Sequence, residues 1–287
     1  MKKVSVIGIC GKSVFLDCDK FPTKGESIVC SGFHTEPGGK GINTAITVKR
    51  LSGNVAYLVS VGNDEYGREC IKFFERENLR VKCSIKDGMT DYGVIMHNGD
   101  GSNCVSVFID DKVKLSENDV AGFESELKDS SFVVISAEVS DKVLLKTAEI
   151  CDKYGAKIVF DPSPVRDVPE AFLKKVWLFT PNETEYEELF KKIVPERVVI
   201  TMGEKGATLI ENGKRTEFSA VKASVKNTTG AGDVFNGALC FALANDKNLS
   251  ESVAFAIKVA AYKVAGNYVM DGIPTLEEFK YDQILKA

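Results

Sequence analysis

Three short stretches of this 287-residue chain set glycines beside groups that can do chemistry. In NTTGAGDVFNGALCFAL, Asn227 to Leu243, two threonines lead into Gly230, Ala231, Gly232 and Asp233, and an apolar run of helical spacing follows. A glycine-rich turn at a helix N-terminus offers unpaired N–H groups and the positive end of the helix dipole, so it makes an anion hole. An aspartate placed there is stabilised as an anion. Aspartate is also a favoured helix cap, but capping alone does not ask for two glycines just before it. In PGGKGINTA, Pro37 to Ala45, Gly38, Gly39 and Gly41 precede another helical pattern. There Lys40 adds a charged donor and Asn43 an amide that both donates and accepts, a set suited to a polyhydroxylated ligand. The third stretch, VIGICGKS, ends in the Gly11-Lys12-Ser13 of a phosphate-binding loop, but position 6, where that motif needs its first glycine, is Val6. Pro22 and Gly25 then indicate a bend and a loop where a P-loop opens a helix. Lys3 to Cys10 therefore reads as a buried strand leaving its sheet at a small-residue turn.

The elements that must position these groups alternate along the chain. KVSVIGIC, NVAYLVSV, SFVVISAE, AKIVFDP, VWLFT, RVVITMG and ATLIENG have the length and apolar character of strands. Amphipathic helical stretches lie between them, among them NTAITVKRL, SDKVLLKTAEICDKYG and NETEYEELFKK. Apolar strands separated by helices predict a parallel sheet covered on both faces. Two regions break the alternation. Glu26 to Glu36 reads as an extended strand, and Asp91 to Asp110 as strand, NGDG turn and strand. They predict a small β-sheet projecting over the C-terminal ends of the parallel strands, where ligands bind in such folds.

Composition excludes several classes. The net charge of −4 and pI near 5.5 give no electrostatic footprint for nucleic acid or an anionic membrane. No apolar run reaches the ~20 residues of a membrane span, and MKKVSVIGIC reads as a first strand, not a cleaved leader. The eight cysteines show no C-x-x-C spacing and only His34 and His97 could join them, so a zinc site is not expected. Buried reduced thiols in a cytoplasmic protein are the expectation.

PGGKGINTA followed by SVGNDEYG, and later NTTGAGDVFNGA, resemble the two signatures of the ribokinase-like (PfkB-type) carbohydrate kinases. The resemblance extends over nearly the whole chain, including FPTKGE, TPNETE, TMGEKGA and the C-terminal helices. It implies one α/β kinase domain over 1–287, a three-layer α/β/α sandwich with a mostly parallel central sheet, and a β-sheet lid from about 12–36 and 90–111. It implies transfer of the γ-phosphoryl group of ATP to a hydroxyl of a small sugar. By matching position, Asp233 is the general base and the backbone of Gly230, Ala231 and Gly232 the anion hole. Asn182 and Glu185 match the N-x-x-E motif that organises Mg²⁺ mostly through water, and they equally suit a helix N-cap with an acidic first turn. Asn182, Thr201, Gly203 and Gly232 fall on the nucleotide side. Gly11, Ser13, Gly39, Lys40, Asn43 and Glu138 fall on the acceptor side. The resemblance also implies a monovalent cation such as K⁺ and a homodimer through the lid strands.

The sequence departs from the family at several points. Gly11 and Ser13 stand where ribokinases carry Asn and Asp, and serine accepts hydrogen bonds less strongly than a carboxylate. Asn227 stands where Asp is common, and the loop near Val269 lacks the usual glycine. A nucleoside acceptor, its base surrounded by Ser13, Phe15 and Phe33, is the nearest alternative to a neutral sugar. A non-catalytic sugar or nucleotide sensor is the alternative of another class, and the intact Asp233 argues against it.

Overall fold

A computed structural model describes residues 1–98, 102–190 and 194–285 of the chain. Thirteen strands are present among them: β1 (Lys3–Ile7), β2 (Gly11–Cys18), β3 (Gly32–Gly38), β4 (Asn54–Gly62), β5 (Arg80–Lys86), β6 (Tyr92–Asn98), β7 (Asn103–Phe108), β8 (Ser130–Ser136), β9 (Lys157–Asp161), β10 (Val176–Phe179), β11 (Arg197–Thr201), β12 (Ala207–Glu211) and β13 (Lys214–Phe218). The helices are α1 (Lys40–Arg50), α2 (Glu65–Arg76), α3 (Glu117–Ala121), α4 (Glu124–Lys128), α5 (Asp141–Tyr154), α6 (Glu170–Leu173), α7 (Glu183–Leu189), α8 (Ala231–Ala244), α9 (Leu249–Lys263), α10 (Val269–Gly272) and α11 (Leu276–Leu285).

Nine strands form the central sheet in the order β13-β12-β11-β10-β9-β8-β1-β4-β5, parallel except at β12 and β13. The period-two alternation of a strand sorts its side chains to two cores. Val4 and Val6 of β1, Phe132 and Val134 of β8, and Val199 of β11 pack with α1, α8 and α9. Ile7, Val133, Ile135, Val198 and Ile200 pack on the other face with α3 to α6. Both faces are buried, which is why these strands read as continuous apolar runs. From β1 the chain winds to β4 and β5, then returns on the other side of β1 to β8 and β9. The crevice beyond the C-terminal ends of β1 and β8 is thus a topological switch point, the usual binding position in open α/β sheets.

The second sheet has the order β3-β2-β6-β7. β6 and β7 form the expected antiparallel pair; Gly99, Asp100 and Gly101 of the NGDG turn lie outside the described residues. Three expectations are corrected. The first strand stops at Ile7, and Gly11 opens a separate strand of the small sheet. The strand expected from Glu26 begins only at Gly32; Val29 is 93% exposed, so its side chain adds no packing that would extend the strand earlier. β5 and β13 were not anticipated, because RVKCSIK and KRTEF are edge strands rich in exposed charge. Helix ends follow their local signals: Gly155 closes α5 at φ 75°, in the left-handed conformation that glycine adopts without strain. Among the described residues no helix is long and apolar enough to cross a membrane.

Candidate active site

The N-termini of α1 and α8 meet at the switch point. Gly41 in the first turn of α1 lies against the backbone that leaves β1, where a Cβ would come within 2.8 Å of Gly8. That close approach carries Lys40 and Asn43 to the strand ends. Opposite them, Gly230 caps α8 with φ 73°, and the left-handed turn brings Asp233 into the helix's first turn, only 5% exposed. Asn43 Nδ2 donates to Asp233 Oδ2 at 2.8 Å, and Thr44 Oγ1 donates to the Asp233 carbonyl at 3.2 Å. Lys40 Nζ lies 3.3 Å from Asp161 Oδ2 and 3.4 Å from Asp233 Oδ1, bridging two carboxylates.

Charge in this crevice is unbalanced. Glu138 stands two residues beyond the end of β8, near Ser136 Oγ at 3.4 Å, and joins Asp161 and Asp233 around the single ammonium of Lys40. Burial, only partly offset by Lys40, pushes the Glu138 carboxyl up to about 8, with Asp233 and Asp161 adding to the rise. Burial likewise pushes Asp161 up to about 6. Lys40 is held well above its ordinary value: burial would lower it, but Asp161, Asp233 and Glu138 outweigh that effect. One more polar group is left open. The Oδ1 of Asn43 is buried and has no partner among the described residues, although an unpaired buried acceptor costs about 1–3 kcal/mol.

The nucleotide-side residues form a second group. Asn182 and Glu185 make a reciprocal capping box at α7: Asn182 Oδ1 accepts from Glu185 N–H at 2.9 Å, and Glu185 Oε2 from Asn182 N–H at 2.8 Å. A parallel bridge joins Asn182 to Thr201 at the end of β11. Gly203 follows with φ 54°, and a Cβ on it or on Gly232 would meet nothing within 4 Å. The backbone at both places thus has open space beside it, room for a phosphate chain to approach. Among the described residues no three His, Cys, Asp or Glu side chains gather as a metal cage. The buried Glu185 carboxylate beside Asp161 instead fits Mg²⁺ that keeps most of its waters.

The sequence profile of the pfkB family carbohydrate kinases matches residues 1–276. The chain belongs to this family. It is similar to the ribokinase of Lactococcus lactis, 29% identical over 290 residues covering 98% of this chain and 96% of that protein. It is also similar to the deoxyribokinase of Salmonella typhimurium, 26% identical over 296 residues covering 96% and 97%. Among solved structures, the ribokinase of Thermotoga maritima superposes with a TM-score of 0.87 at 25% identity, covering all of both chains. The fold is the ribokinase-like α/β fold, and the protein is an enzyme, a carbohydrate kinase.

In this pfkB kinase the expected acceptor residues come from the starts of two helices, a strand end and β2. Gly39, which caps α1 at φ 117°, Lys40, Asn43 and Glu138 gather at the crevice with Asp233 and the Gly230–Gly232 turn. Gly11 and Ser13 sit on β2 beside the turn that leads into α1, with Gly11 paired to Gly38 and Ser13 to Glu36, and a Cβ on Gly38 would lie 1.9 Å from Ser13 Oγ. Lys12 is ion-paired to Glu69, so the GKS triplet is a lysine salt bridge on the small sheet, not a phosphate grip. Sequence reasoning missed Asp161, whose signal was an acidic residue ending the apolar run KIVFD. It also missed Glu36, which accepts from the N–H groups of Val269 at 2.9 Å and Met270 at 3.1 Å and ties the small sheet to α10. The Glu36 contact has no local sequence pattern. A cleft of about 520 Å³ opens between the small sheet and the loop before α8, lined by Asp17, His97, Asn103, Lys226, Thr228 and Tyr268. Asp233 does not line it.

Proposed function

We propose that this kinase transfers the γ-phosphoryl group of ATP to a hydroxyl of a small sugar, with the small sheet as the lid of one α/β domain. The seating of Asp233 carries the reading: a buried carboxylate in the first turn of α8, fixed by Asn43, in a helix capped by the left-handed Gly230. The acceptor hydroxyl gives its proton to Asp233 as its oxygen bonds to the γ-phosphorus; the bond to the β-phosphate oxygen breaks and ADP leaves. The N–H groups of Gly230 and Gly232 stabilise the charge on the transferred group, while that of Ala231, expected to join them, donates to the Thr228 carbonyl at 3.1 Å and shapes the turn. Asn43 Oδ1 and Glu138 orient the sugar hydroxyls, and Lys40 holds the Asp161 and Asp233 carboxylates at fixed positions. Asn182 and Glu185 would hold Mg²⁺ through water, and bound Mg²⁺ neutralises phosphate charge.

A nucleoside is the second reading. It is favoured by the rings of Phe15, His34, His97 and Tyr268, which cluster where the small sheet meets α10; His34 and Tyr268 stack at 3.8 Å. An ADP-release screen over pentoses, hexoses, nucleosides and phosphosugars with Mg²⁺ tests both. Turnover with no alcohol in the panel refutes phosphotransfer; preference for nucleosides over every free sugar selects the second reading. The exposed Val105, Val107 and Phe108 of the edge strand β7, with Phe33 on β3, support pairing of two lids, which sedimentation of the purified chain checks.

A further inference from the structure

Lys263, the last residue of α9, lies directly beneath the anion-hole loop and has no exposed surface. Its ammonium donates to the carbonyl of Asn227 at 2.9 Å and to the carbonyl of Thr229. The rest of α9 is lined by Val253, Ala256, Ile257 and Val259, so an apolar residue would suit the helix alone. Burying an ammonium among such residues is costly unless its N–H groups are engaged and opposite charge lies near. Both conditions hold here. Glu36 of β3, Asp233 of α8 and Asp271 of α10 all act on it from different elements; burial lowers its pKa to about 8 and these three carboxylates oppose that fall.

The consequence lies in peptide geometry. In a planar trans peptide the carbonyl and the following N–H point in opposite directions. A Thr229 carbonyl tied down to the ammonium turns the Gly230 N–H the other way, into the crevice, and the Asn227 carbonyl does the same for the Thr228 N–H. The loop is braced from within as well: Asn227 Oδ1 accepts from Thr229 N–H at 2.8 Å, and Asn227 Nδ2 donates to the Asn267 carbonyl at 2.8 Å.

We infer that Lys263 is the positioning residue of the anion hole, an ammonium built into the chain that fixes the Asn227 and Thr229 carbonyls and so aims the Gly230 N–H at the transferred phosphoryl group. The inference rests on the phosphotransfer proposed above and deepens it. A tethered cation in this place makes a dissociable monovalent cation unnecessary. Methionine reproduces the stem of lysine but ends short of Nζ, so Lys263→Met leaves an ammonium-sized space facing the two carbonyls, which K⁺ or NH₄⁺ can enter.

The test uses the full chain, wild type and Lys263→Met, with Mg·ATP and the best acceptor from the screen, in K⁺, NH₄⁺ or tetramethylammonium chloride at equal ionic strength. Wild-type kcat is expected to vary by less than about twofold among the salts. In tetramethylammonium the variant is expected to lose about 10²-fold in kcat, the usual effect of losing one oxyanion donor, with little change in acceptor KM. K⁺ or NH₄⁺ should restore at least about tenfold of that loss. Thermal melts run alongside: K⁺ should raise the melting temperature of the variant over that in tetramethylammonium and leave the wild type unmoved. A variant with full kcat in tetramethylammonium, or one that no small cation restores in either assay, overturns the inference. So does wild-type activity that depends strongly on K⁺, an arm that decides the matter even if the variant does not fold. A wild type inactive with every acceptor refutes the phosphotransfer reading, and the melts then judge Lys263 separately.

Discussion

Glu138→Gln should make this kinase less sensitive to alkali, and the size of the effect follows from the crevice. The Glu138 carboxyl rises from 4.5 to about 8 because it is half-buried and desolvated beside Asp161 and Asp233, with Lys40 and Ser136 offsetting this only in part. Between those values the folded protein keeps a proton that the unfolded chain has released. Stability from this group is therefore complete below pH 4.5 and is lost as pH rises to about 8. Each unit corresponds to about 1.4 kcal/mol, so the interval from pH 6 to 8 removes about 2–3 kcal/mol. Asp161, raised only to about 6, contributes mainly below that interval. For a chain of this size about 2 kcal/mol corresponds to roughly 4 °C in melting temperature. Scanning fluorimetry at pH 6 and 8 should show the wild type losing about 4–6 °C more than Glu138→Gln over that range. Parallel melting curves for the two proteins would show that Glu138 is already ionised at pH 6, and the charge argument for the crevice would fail.

Three further outcomes are expected. Asp233→Asn should lower kcat by about 10²–10⁴-fold while ligand-induced thermal shifts persist; wild-type turnover in this variant would remove Asp233 as the base. Asn43→Leu removes both the 2.8 Å donor to Asp233 and the open Oδ1 acceptor. It should reduce kcat/KM for the acceptor by about 10–100-fold, read from initial rates, with the KM for ATP nearly unchanged. Gly11→Ala puts a Cβ 2.2 Å from the Asp91 carbonyl, a backbone atom that cannot swing away. A loss of about 1–3 kcal/mol in denaturant melts is expected, and an unchanged midpoint would show that the junction of β2 with the segment before β6 is looser than drawn.

Much of the central sheet was legible because its strands are buried on both faces and its helices carry local end signals. Val133 and Ile135 face one core while Phe132 and Val134 face the other, so β8 reads as one unbroken apolar run. Its outer strands were not legible. β13 and β5 owe their place to a neighbour strand's hydrogen bonds and to a few half-buried side chains, Val81, Cys83 and Phe218, and pairing across the chain leaves no local pattern. The same distinction separates the two halves of the candidate site. Asp233 and the Gly230–Gly232 turn were readable because helix, cap and glycines are contiguous. Asp161 and Lys263 were not, since each acquires its role from residues more than thirty positions away.

By itself the sequence determined the alternating strands and helices, the two glycine-rich helix starts and the family to which they belong, since all of these are written within short spans. Tertiary structure decided what those starts do together. It placed Lys40 between Asp161 and Asp233, left the buried Asn43 Oδ1 without a partner among the described residues, and moved GKS onto the small sheet as a salt bridge. It also set a buried ammonium under the loop that sequence could show only as glycines and threonines. The reason is physical. Propensity and capping act over a few residues, whereas the desolvation and Coulomb interactions that define a site depend on distances that only folding sets.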